Sequence, residues 1–186
     1  MIVGGLDPSG SPKRPSGLAL IDMVSNEIVY AGLLYSDKEI IGTILKYNPR
    51  VIAVDSPLSL TKRGFREVDI LMKKMGYPVL PPSWRGMRML IIRSLKIINE
   101  LNRHGIIVIE THPKSALRSS NCKTAADLFI KMFGKCKHEW ISSKDLCDAL
   151  ISSLVAKYYV ERNTVQVRAS DGVIYLLPKV CNHGWR

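Results

Sequence analysis

Residues 1–55 read MIVGGLDPSG SPKRPSGLAL IDMVSNEIVY AGLLYSDKEI IGTILKYNPR VIAVD. Ile2 to Leu6 is a short apolar run that ends at Asp7-Pro8, and the turn SGSPKRPSG follows it. Leu18 to Ile21 and Ile28 to Leu34 are two further β-type runs, joined by the turn formers Ser25-Asn26. Ser36 or Asp37 can cap a helix whose apolar face is Ile40, Ile41, Ile44 and Leu45, closed by Asn48-Pro49. Val51 to Val54 is apolar throughout, as expected of a strand covered on both faces, and it ends at Asp55. Three meander strands, a helix and a buried strand are therefore expected in that order.

Beyond this stretch, Ser56 to Met87 carries Pro57, Pro78, Pro81 and Pro82 and is expected to be a long loop, with a short helix around Phe65 to Met75. A helix is expected from Arg85 to Arg103, with Leu90, Ile91, Ser94, Leu95, Ile98 and Leu101 on one face, ended by Gly105. Ile106 to Ile109 is another apolar strand, closed by Glu110 and Pro113, and Lys114 to Ser143 is expected to be a partly helical insertion. Lys144 to Glu161 repeats apolar and small residues at helical spacing. Val165 to Val167 and Val173 to Leu177 form an expected hairpin, with Asp171-Gly172 suggesting a type I′ turn. The order, three meander strands followed by alternating helices and strands, is the ribonuclease H-like order: an α/β fold with a mixed sheet and helices on both faces. One domain over residues 1–186 is expected, since that length suits a single core.

Composition narrows the class of function. The 46% hydrophobic and 23% charged fractions are those of a globular chain rather than a disordered one. No uncharged apolar run approaches the roughly 18 residues of a membrane span, because Arg93 and Lys96 interrupt the best one. MIVGGLDPSG lacks the basic start of a signal peptide, so a cytoplasmic protein with reduced thiols at Cys122, Cys136, Cys147 and Cys181 is expected. Cys136-Lys-His138 and Cys181-Asn-His183 are weak echoes of zinc ligands. The 27 Lys and Arg against 16 Asp and Glu give a net charge of +11, which favours a polyanionic partner, DNA or RNA.

The acids fall in telling places. Asp7, Asp55 and Glu110 each end a strand, and Asp145 and Asp148 share one face of the last long helix. Strand ends of this kind converge on one crevice in an α/β sheet. Carboxylates so crowded repel one another unless a cation joins them, and their hard oxygens suit Mg²⁺ or Mn²⁺. Two such ions can clamp the attacking and leaving oxygens of a phosphodiester, which requires the Asp7, Asp55 and Asp148 carboxylates to lie within about 8 Å of each other. Each acid also has a purely structural reading: Asp7 organising the turn at Pro8, Asp55 capping its loop, Glu110 pairing with a loop Arg, Asp145 answering the helix dipole.

GLDPSG…SGLALID is similar to the first strand and turn of RuvC-type Holliday-junction resolvases, and KDLCDALISSLVA resembles their DxxDAL helix. Over residues 1–161 the chain more closely resembles the predicted nucleases of the ribonuclease H fold grouped as domain-of-unknown-function family 429. That resemblance is carried by Gly5-Leu6-Asp7, Val54-Asp55-Ser56-Pro57-Leu58, Arg66 with Asp69, Glu110-Thr111-His112-Pro113, and Lys144-Asp145 to Asp148-Ala149-Leu150. It implies a nuclease with Asp7, Asp55, Asp145 and Asp148 as metal ligands and Glu110 nearby. The chain departs from RuvC-type enzymes in carrying Asp55 where they carry Glu, and in the segments 56–87 and 114–143.

Around the expected crevice Arg63, Arg66, Arg85, Arg88 and Lys114 are candidate contacts to a nucleic-acid backbone, and Trp84 could stack on a base. His112 is a candidate general acid or base. The expected function is a metal-dependent phosphodiesterase acting on DNA or RNA, with a homodimer if its substrate is two-fold. The alternatives are a non-catalytic nucleic-acid-binding module and, less favoured in a chain of this length, a nucleotide phosphohydrolase of related fold.

Overall fold

A computed structural model describes residues 1–62 and 64–182. Its elements are β1 (Ile2–Asp7), β2 (Ser16–Asp22), β3 (Glu27–Leu34), α1 (Asp37–Tyr47), β4 (Val51–Val54), α2 (Glu67–Lys74) and α3 (Arg85–Arg103). They continue as β5 (Ile107–Thr111), α4 (Pro113–Ser119), α5 (Ala125–Phe133), α6 (His138–Ser142), α7 (Lys144–Val160), β6 (Val165–Ala169) and β7 (Gly172–Leu176). The strands form one sheet in the order β3-β2-β1-β4-β5-β7-β6. The β3-β2-β1 meander is antiparallel, β1, β4, β5 and β7 run parallel, and β6 returns antiparallel. This is the ribonuclease H-like arrangement that the order of elements implies.

The two-residue period of the central strands sorts their side chains onto two cores. From β2 and β4, Ala19, Ile21, Val51 and Ala53 enter the core shared with α7. Leu18, Leu20, Ile52 and Val54 enter the other, with Ile40 and Ile44 of α1 and Ile97 and Leu101 of α3. On β1 the same alternation places Val3 and Gly5 toward α7, and the next residue in phase is Asp7. Two glycines allow the helix to sit close. A Cβ on Gly5 would lie 2.1 Å from the Ala149 carbonyl oxygen and 2.2 Å from the Ser153 nitrogen. A Cβ on Gly17 would lie 1.9 Å from the Asp145 carbonyl oxygen. Helix α7 thus rests directly on the β1 and β2 backbones, with its N-terminal turns beside the end of β1.

The segment 114–143 is partly helical, as expected, and packs into the α7-side core: Phe129 and Trp140 are buried there and meet edge to face, with centroids 6.1 Å apart. The hairpin turn is Ser170-Asp171, and neither residue has positive φ, so it is not type I′. The turn serves α2 instead. Asp171 accepts from the Glu67 and Val68 backbone N–H groups at 2.5 and 3.1 Å, and Ser170 Oγ donates to Glu67 Oε2 at 2.6 Å.

The expected reduced thiols are corrected at two positions: Cys122 and Cys181 form a disulfide across 59 residues. Chain contacts bring them together, since the Val180 and Cys181 N–H groups both donate to the Ser120 carbonyl oxygen and Asn121 Nδ2 donates to the Cys181 carbonyl. A bridged Cys181 cannot ligate zinc, and its expected partner His183 lies outside the described residues, as does Arg63. No helix among the described residues is long and apolar enough to cross a membrane.

Candidate metal centre

Three elements deliver one carboxylate each. Asp7 ends β1, and its backbone partner in the meander is Gly17, the residue on which α7 rests. Asp55 follows β4, and its N–H extends the ladder by donating to the Leu6 carbonyl at 2.9 Å. Asp148 lies on the second turn of α7. One oxygen from each of these three lies within 4.8 Å of the others. That is far inside the limit of about 8 Å expected from the chemistry.

The cluster is electrostatically loaded. Burial, then Asp55 and Asp148, push the Asp7 carboxyl far above the ordinary carboxylate range. Burial and then Asp148 push Asp55 upward as well. Lys144, one helical turn before Asp148 and ion-paired with it, opposes both shifts. One ammonium group against three carboxylates leaves a deficit of positive charge. A set of hard oxygen donors with such a deficit fits a divalent cation.

Asp145 does not join the triad. It lies one turn earlier on α7, where the helix backbone crosses β2 at Gly17, although its charge still raises Asp7. Glu110 also stays out. The register sets it level with Val54 and Leu6, one residue short of Asp55 and Asp7. Its oxygens accept from Arg66 Nη1 and Nη2 at 2.9 and 2.5 Å, and Oε2 also accepts from the Leu58 N–H at 2.9 Å. Arg66 is fully committed, for it donates to Asp69 through Nε and Nη2 at 3.0 and 2.8 Å and is only 4% exposed. Burial works against its charge, but Glu110 and Asp69 outweigh that and raise the Arg66 pKa. Glu110 is thus the partner of a loop Arg, and Arg66 anchors that loop.

A cavity of about 700 Å³ opens over the triad. Its charged rim includes Lys114 and Lys144, and its apolar wall includes Leu80, Met87, Leu90 and Leu117. His112 also lines it, with its pKa pushed down to about 4 by burial and by Lys114 and Lys144. Trp84, 57% exposed, and the exposed Arg85 and Arg88 stand at the start of α3, whose Met87 and Leu90 reach the cavity.

Two residues outside the expected site help to build it. Lys144 carried a legible signal, its i,i+4 spacing from Asp148. Buried Arg93 donates to the Ser9 carbonyl, Ser9 Oγ and Asp37 at 2.8, 2.7 and 2.7 Å, pinning the turn just after Asp7. An Arg that interrupts an apolar helix face was its only sign in the sequence.

Among solved structures, the chain is similar to Thermus thermophilus RuvC in complex with a Holliday-junction substrate, at a TM-score of 0.59 and 14% sequence identity. The match covers 87% of this chain and 96% of that one. A second Thermus thermophilus RuvC structure matches with the same identity and coverage at a TM-score of 0.52. At this identity the likeness is one of fold. No protein-family model matches the chain, so the tie to domain-of-unknown-function family 429 stays a resemblance. No curated protein matches it either.

Proposed function

We propose that the protein is a metal-dependent nuclease that hydrolyses phosphodiesters of DNA or RNA. The observation that carries this reading is the convergence of Asp7, Asp55 and Asp148 to within 4.8 Å at the strand ends of a ribonuclease H-like sheet. These three would hold Mg²⁺ or Mn²⁺, with Asp145 at the margin. When bound, such ions stabilise charge on the phosphate and lower the pKa of a coordinated water.

The chain's own residues prepare the place. Buried Arg66, tied to Glu110 and Asp69, fixes the loop after Asp55. Lys114 and Lys144 supply positive charge at the cavity rim for the flanking phosphates, and the net charge of +11 adds a longer-range attraction. The fold is shared with a RuvC solved on a Holliday junction, which makes a branched DNA a member of the substrate set to test first.

The test is cleavage of labelled single strand, duplex, RNA–DNA hybrid and four-way junction with Mg²⁺, Mn²⁺ or EDTA. Metal-dependent cutting that is lost in the Asp7→Asn/Asp148→Asn double variant is expected. Salt-sensitive binding without cutting, unchanged in that variant, would instead assign a non-catalytic binding module.

A further inference from the structure

His112 stands between β5 and α4, as the residue that caps α4, and its ring lines the cavity over the acid triad. Its Nδ1 lies 2.6 Å from Ser115 Oγ. Ser115 is completely buried, and His112 is its hydroxyl's sole hydrogen-bond partner among the described residues. The hydroxyl hydrogen therefore has one place to go. If Nδ1 carried a proton, the Ser115 hydrogen would be buried and unpaired, which is unfavourable. With the hydroxyl donating to the Nδ1 lone pair, both groups are satisfied, and the ring proton sits on Nε2. Nε2 has no protein partner among the described residues. The nitrogen left without a protein partner, Nε2, then carries hydrogen and offers no basic lone pair. It is a donor.

We infer that His112, held by Ser115 as the Nε2–H tautomer, is a neutral hydrogen-bond donor to the phosphate of the bound phosphodiester. The inference rests on the nuclease reading of the cavity and adds a substrate-contacting residue to it. It also revises the expected acid–base role: His112 stabilises negative charge on phosphate oxygen and moves no proton. Lys114 and Lys144 approach the same group, so a neutral ring avoids adding a third positive charge there.

The test uses the full chain with ¹⁵N-labelled histidine. The His112 resonance is assigned by its loss in His112→Gln. Long-range ¹H–¹⁵N correlation is expected to show Nε2–H at pH 7.5. Adding a short single-stranded oligonucleotide with Ca²⁺ is expected to shift the Nε2 resonance. In cleavage assays His112→Ala is expected to lower kcat on the order of 100-fold, the typical loss of one such donor, with KM changed less than threefold. His112→Gln, which keeps an amide N–H near that position, is expected to recover at least tenfold of the loss. Ser115→Ala is expected to give a mixture of tautomers. A ring protonated on Nδ1, or an Nε2 resonance unmoved at saturating oligonucleotide, overturns the inference even if the wild type cuts. A moving Nε2 without cutting overturns the nuclease reading and leaves the phosphate contact in place. Failure of the oligonucleotide to bind overturns both.

Discussion

At Asp7, burial, three like charges and a single opposing lysine act together on one carboxyl. A carboxyl whose pKa is higher in the fold than in the unfolded chain binds more protons when folded. Its contribution to metal-free stability is therefore fully present below the unfolded value of about 3.9 and is lost as pH rises from there through the folded one. Thermal melts in EDTA should show a lower Tm at pH 8 than at pH 5.5. Asp7→Asn should raise the metal-free Tm at pH 8 by on the order of 5 °C and flatten the dependence. A wild-type Tm that rises between those pH values in parallel with the variant's would contradict this origin. The same protons compete with cations, so divalent-ion affinity should increase with pH and binding should release protons, measurable by calorimetry in buffers of different ionisation enthalpy.

Residue by residue, the sequence marked Asp7, Asp55 and Asp148 because each stands where an element ends or opens toward the crevice. It offered Glu110 both as a site residue and as the partner of a loop Arg, but the identity of that partner, Arg66, 44 residues away, has no local signal. Their mutual commitment is visible only once the loop closes over β5.

At the scale of elements, the site depends on how closely α7 approaches the sheet. A methyl group on Gly5 would push against the α7 backbone rather than a flexible side chain. Gly5→Ala should destabilise the fold by roughly 2–3 kcal/mol in denaturant titrations and displace Asp148 from Asp7, lowering divalent-ion affinity. A conservative, fully functional Gly5→Ala protein would refute the close-packing account. Arg66→Ala leaves Glu110 and Asp69 buried without their partner and should lose about 3–5 kcal/mol. The apolar runs of β1, β2 and β4 were readable in the sequence, and with them a sheet covered on both faces. The use of Ser170-Asp171 as a cap for α2 was not, because Asp171-Gly172 carries the same residues as a tight hairpin turn whichever task the Asp performs.

For the whole molecule, two properties follow from charge and covalent closure. The net charge of +11 predicts nucleic-acid binding that weakens at least tenfold between 50 mM and 200 mM salt, a range of the kind counterion release produces. Salt-independent binding would place the recognition elsewhere. The Cys122–Cys181 bridge spans 59 residues, and a loop of that length corresponds to roughly 4 kcal/mol of lost unfolded-state entropy. Adding a reductant, or replacing Cys122 with Ser, should lower Tm accordingly without altering the acid triad. The bridge was illegible in the sequence: four scattered cysteines with no short spacing look like free thiols, and only the seating of residues 180–181 on the Ser120 carbonyl pairs two of them.

The proposed nuclease rests on β1, β4 and α7 bringing three carboxylates together to hold divalent ions. Electron paramagnetic resonance of Mn²⁺ titrated into the wild type and into Asp148→Asn, at pH 7.5, tests this. Saturable Mn²⁺ binding by the wild type, weakened at least tenfold in the variant, is the predicted result. Equal binding by the two proteins, or none by the wild type, would contradict the account.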